Sequence, residues 1–105
     1  RGIRILGHGA GLTTPAYHLF ALIVGDLDTR SVLLAACQEQ GVGAAFHYVP
    51  LDSSDAGRRI GTAPLGCPVT AAISDRLVRL PLHSDLGPAD YERVADVVAG
   101  ILSVD

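Results

Sequence analysis

One stretch limits the possible folds more than any other: residues 17–24, YHLFALIV, an almost continuous apolar and aromatic run closed by Gly25 and Asp26. This is the signature of a strand buried on both faces, and it predicts the centre of a sheet. The next segments supply partners for it. Asp28 is placed to cap a helix running to about Gln40, with Leu33, Ala36 and Cys37 on its inward stripe and Gly41 providing a left-handed turn at its end. Residues 43–49 carry Phe46, Tyr48 and Val49 and stop at Pro50, which predicts a second strand.

Residues 51–68 are polar and glycine-rich, and only SSDAGRRIG offers one or two helical turns. An exposed loop of this length is usually functional or docks on another surface. Thr70 is positioned to cap a helix that sets Ile73 and Leu77 four residues apart. Val78, Leu80 and Leu82 then alternate with Arg79 and Pro81, the pattern of a short strand that Pro81 assigns to an edge or a strand end. Pro88 suits the first turn of a closing helix, with Tyr91, Val94, Val98 and Ile101 at helical spacing and Asp90, Glu92, Arg93 and Asp96 opposite. The order predicts an α+β fold, a short sheet of at least three strands with helices packed on it. Residues 1–16, rich in glycine, read as a linker with at most a short extended stretch at 3–6, leaving 17–105 as the folded domain.

A hydrophobic fraction of 49% and 18% charged residues fit one such domain in a chain of 105 residues. The net charge is −3 and the basic residues are scattered, so no electrostatic footprint for nucleic acid or an anionic membrane exists. The longest apolar runs fall far short of the roughly 20 residues of a membrane span, and no signal-peptide layout opens the chain. The expected setting is soluble and cytoplasmic. All eight basic residues are arginine and there is no methionine. Such a chain looks like a piece of something longer.

The chemistry-bearing residues gather in FHYVPLDSS, at 46–54. In a regular strand His47 and Tyr48 point to opposite faces and share no pocket. Pro50, however, marks where the strand ends, and loss of the pleat allows both rings near one end of the sheet. From these residues alone a strand-end aromatic pair and a site are both open. His18, His47, His83 and Asp52 lack the short spacing of a metal site, and Cys37 and Cys67 read as isolated thiols. Ser53 and Ser54 lack the strained turn of a nucleophile and read as loop caps, while Gly7, Gly9 and Gly11 follow no strong strand, as a dinucleotide motif requires.

Taken together, YHLFAL, GVGAAFHYVPLDSSDAGRRIG and CPVTAAISDRLVRLPLHSDL resemble the C-terminal domain of the DegT/DnrJ/EryC1/StrS family of sugar-nucleotide aminotransferases, nearest those acting on TDP-4-keto-6-deoxyglucose. The likeness covers nearly the whole chain past residue 15. It implies the small domain of a fold-type I, pyridoxal 5'-phosphate-dependent homodimer that moves an amino group, usually from glutamate, to the C4 keto group of a nucleotide-linked hexose. It also implies that cofactor contacts and the cofactor lysine lie in a large upstream domain, and that His47 and Tyr48 face the substrate. No residue of this chain is then catalytic, cofactor-binding or metal-binding. The fragment alone is expected to be inactive, because a Schiff base needs a lysine amine and none is present. Relatives often read HYxPLH where this chain has Asp52, a departure that bears on which sugar is held. The competing reading is a free-standing ligand- or protein-binding module using the 51–68 loop.

Overall fold

The computed structural model describes residues 2–6, 11 and 14–102, so Gly7 and Gly9 fall outside the described residues. Four strands, β1 (Arg4–Ile5), β2 (Phe20–Ile23), β3 (Ala45–Phe46) and β4 (Leu77–Leu80), form one antiparallel sheet in the order β1-β2-β4-β3. Among the described residues four helices, α1 (Leu27–Glu39), α2 (Asp55–Ile60), α3 (Pro68–Ser74) and α4 (Pro88–Leu102), accompany the sheet in an α+β fold. The short extended stretch near the start of the chain is thus an edge strand, with Arg4 opposite Ile23 and Ile5 opposite Leu22.

The apolar run is only half buried. Leu22, Ile23 and Val24 are enclosed, whereas Tyr17 and Leu19 are exposed. The reason lies in the partner strand: β4 pairs with β2 only from Phe20 to Ile23 and then meets Pro81, which has no donor to extend the ladder. Register sorts the side chains, because residues opposite each other share a face. Phe20 and Leu22, opposite Leu80 and Val78, face the helices, and Val78 and Leu22 join Leu33 and Cys37 of α1 and Val98 of α4 in one core cluster. Ala21 and Ala45, both opposite Arg79, lie on the other face.

Three expectations need correction. The cap of α1 is Asp26, not Asp28: its Oδ1 accepts from the Thr29 amide at 2.7 Å, reaching a donor at the helix start that has no partner within the helix. Thr70 does not cap α3, which starts at Pro68 because proline's fixed φ and missing N–H suit a first helical turn. Leu77 accordingly belongs to β4 rather than to a helix; β4 is an interior strand, and Pro81 falls just past its last paired residue, at the strand end that the sequence allowed. By contrast, Gly41 adopts the left-handed conformation, φ +73°, that the sequence called for after α1. There α4 reaches across, as the Arg93 guanidinium donates to the Gln40 carbonyl.

The hydroxyl and amide of Thr29 together hold the Asp26 carboxyl below its ordinary value. A depressed folded-state pKa contributes stability that is present above the unfolded value of 3.8 and lost as pH falls through the folded value. Asp26→Asn keeps an acceptor but no charge. The melting difference between wild type and this variant is therefore expected to narrow below about pH 4; a difference independent of pH removes the charge from the cap's contribution.

Candidate functional site

The site is built where β3 stops. Pairing opposite Val78 turns Phe46 toward the helical side, where the Arg30 guanidinium lies 5.7 Å from its ring centre. Arg30 Nη1 also donates to the Ser74 carbonyl at 2.7 Å, so one side chain of α1 fixes both the end of β3 and the end of α3. Sheet pairing ends at Phe46, two residues long instead of the seven expected for this strand. With pairing ended before His47, the strand geometry that would send the two rings to opposite faces does not hold for them.

His47 and Tyr48 come together, their ring centres 4.8 Å apart and tilted by 57°. Both line an open groove of about 480 Å³, floored by Pro50, Ile73 and Leu77 and bordered by Thr70 of α3. His47 is half-buried and Tyr48 is 74% exposed, so one ring is braced by the protein while the other presents its face outward. The far edge is held by a tight turn: the amides of Ser53 and Ser54 donate to the Pro50 carbonyl at 3.2 and 2.9 Å. Ser54 Oγ accepts the Gly57 amide at 3.0 Å as the cap of α2, which makes the serine a loop cap in fact.

Asp52 does not enter this groove. It borders a neighbouring cavity of about 620 Å³ together with Thr62 and Cys67. His18 and His83 line neither cavity, and among the described residues no three His, Cys, Asp or Glu side chains gather as a metal site would require. Burial pushes the Cys37 thiol up from its usual value, so it stays protonated and serves as a small core residue.

One residue at the site is not evident from the sequence. Arg79 of β4 places its guanidinium 5.6 Å from the centre of the Tyr48 ring. The available signal is its position between Val78 and Leu80, because strand alternation sends an arginine there to the face opposite the core. His47 Nδ1 and Arg79 Nε are both buried atoms with no hydrogen-bond partner among the described residues.

Solved structures share this fold. The putative sugar aminotransferase Spr1654 from Streptococcus pneumoniae, in its PMP form, superposes with a TM-score of 0.85 at 21% identity, over 96% of this chain and 26% of its own. The aminotransferase TlmJ from Streptoalloteichus hindustanus gives 0.83 at 24% identity, over 97% and 26%. A DegT/DnrJ/EryC1/StrS aminotransferase from Brucella abortus gives 0.66 at 26% identity, over 84% and 24%. The chain spans about a quarter of the length of these proteins. The fold is that of one small part of each of these aminotransferase chains. The model of the DegT/DnrJ/EryC1/StrS aminotransferase family matches residues 7–99, and the chain belongs to that family.

Spr1654 has also been solved in a PLP form, and dependence on pyridoxal phosphate is implied by the family. The residues present here do not fit covalent attachment of that cofactor, because all eight basic side chains are arginine and none offers an amine. No step through the cofactor is assigned to this chain.

Proposed function

We propose that this chain is the C-terminal portion of a pyridoxal phosphate-dependent, homodimeric aminotransferase that converts a nucleotide-linked 4-keto-6-deoxyhexose, TDP-4-keto-6-deoxyglucose foremost, to its 4-amino sugar with glutamate as donor. The cofactor and its lysine belong to a larger domain outside this chain, and the reaction runs in the cytoplasm. His47 and Tyr48 bind the sugar. The observation that carries this reading is their convergence on one groove in a chain that the family model matches over residues 7–99.

The geometry suits orientation rather than proton transfer at C4. Tyr48 presents an aromatic face and a hydroxyl, which together pack against and hydrogen-bond a sugar ring. His47 Nδ1 lacks a partner among the described residues and has one hydrogen bond left to accept or donate, according to its tautomer. Pro50 and the turn behind it hold the backbone so that both rings stay on the groove side.

In the full-length enzyme, His47→Ala and Tyr48→Phe are each expected to raise KM for the keto-sugar about threefold to tenfold, the value of one lost hydrogen bond, while the absorbance of bound pyridoxal phosphate is unchanged. Wild-type sugar kinetics in both variants would refute the substrate-facing role. The isolated chain, mixed with cofactor, glutamate and keto-sugar, is expected to yield no amino sugar.

A further inference from the structure

Arg79 is the least explained charge in the fold. It stands on the sheet face away from α1 and α4, and its neighbours on the two adjacent strands are Ala21 and Ala45, too small to cover or contact a long side chain's end. Its guanidinium lies against the Tyr48 ring, the side chain is half-buried, and Nε is sealed from solvent. Among the described residues it has neither a hydrogen bond nor an ion pair. Contact with an aromatic face orients a guanidinium but satisfies none of its five donors. A buried donor without an acceptor is costly, and one attached to a full positive charge more so.

We infer that Arg79 is an anion receptor of the same site, pairing with the carboxylate or phosphate oxygens of a ligand whose uncharged part lies over His47 and Tyr48. Tyr48 is a neighbour of both groups, its ring centre 4.8 Å from that of His47 and 5.6 Å from the Arg79 guanidinium carbon. One exposed ring is thus near a hydrogen-bonding imidazole and a planar cation. That arrangement matches a ligand carrying a polar, uncharged body and an oxyanion. Arginine is suited to the oxyanion because its fork makes two parallel N–H···O bonds to carboxylate or phosphate, which lysine cannot reproduce. The inference rests on substrate occupying the His47–Tyr48 groove, and it adds the charge of what is held there.

Two sources supply such an oxyanion in the proposed reaction: the dicarboxylate amino donor and the diphosphate of the nucleotide-linked sugar. The test is therefore calorimetric binding of glutarate and, separately, of thymidine diphosphate to the pyridoxal-loaded full-length protein, with Arg79→Gln and Arg79→Lys. Arg79→Gln is expected to weaken one of the two ligands at least tenfold and leave the other within twofold, with Arg79→Lys intermediate. The ligand that weakens identifies the source. Equal binding of both ligands to wild type and Arg79→Gln overturns the inference. So does a lowered melting temperature with both affinities intact, which would assign Arg79 to an internal ion pair with a carboxylate elsewhere in the protein. Because neither probe reacts, the result is independent of the keto-sugar kinetics of His47 and Tyr48, and either reading can fail alone.

Discussion

Replacing Leu33 by alanine is expected to lower the free energy of opening of the sheet by about 2–5 kcal/mol, the range for removing a fully enclosed leucine from a packed core. Leu33 has no exposed surface and stands in the cluster where α1 meets Leu22 on β2, Val24 just past it, Val78 on β4 and Val98 on α4. Its loss takes contacts from both helices and both central strands together. The sheet and long helices cannot close over the gap without shifting the register that Phe20–Leu80 and Leu22–Val78 pairing fixes. Hydrogen exchange of the β2 and β4 amides in the full-length protein reads this directly, as a fall in protection of at least about 30-fold. Protection within a factor of two of wild type would show that these helices do not depend on one shared core.

The second large effect runs against helix propensity. Alanine is ordinarily favoured over glycine inside a helix by about 1 kcal/mol, and Gly57 lies within α2. Yet a Cβ there would stand 1.6 Å from the Leu51 carbonyl oxygen, 2.7 Å from its carbon and 2.9 Å from Ser54 Oγ. Backbone atoms do not yield as a flexible side chain does. Gly57→Ala must part the first turn of α2 from the turn at residues 50–54, breaking the Gly57–Ser54 cap and freeing the groove edge at Pro50 and Leu51. The expected cost is about 1–3 kcal/mol, as for other overpacked sites, and it is confined to this segment because α2 buries no residue in the core. Exchange protection at residues 55–60 should fall about tenfold or more while β2 and β4 are unaffected. A more protected α2 would mean that Leu51 and Gly57 do not approach closely.

That glycine shows why part of the structure is hidden from the sequence. Nothing local marks Gly57 as necessary: its requirement comes from Leu51, six residues earlier, folding back over it. Similarly, the strand expected at residues 43–49 has suitable residues throughout, but only Ala45 and Phe46 find partners on β4. Strand propensity measures fit to a neighbour, and here the neighbour ends. The cap of α1 moves for a related reason. Asp26 and Asp28 are equally good capping residues, and the choice between them is made by where the chain leaves β2, after Val24 donates to the Arg76 carbonyl at 2.9 Å.

The sequence by itself determined the α4 start at Pro88 and the left-handed Gly41, because each depends on residue types within a few positions of one another. It determined the α+β class and the family likeness through the order of such local segments along the chain. It also determined that none of these 105 residues is a lysine. Tertiary structure alone decided that sheet pairing ends before His47, that Asp52 borders a different cavity from His47 and Tyr48, and that Arg79, thirty-one residues beyond Tyr48, lies against that ring. These depend on which strand pairs with which and for how long. Pairing between β3 and β4 is a long-range contact that no local pattern encodes, and it is what turns FHYVPL from the end of a strand into one wall of a groove.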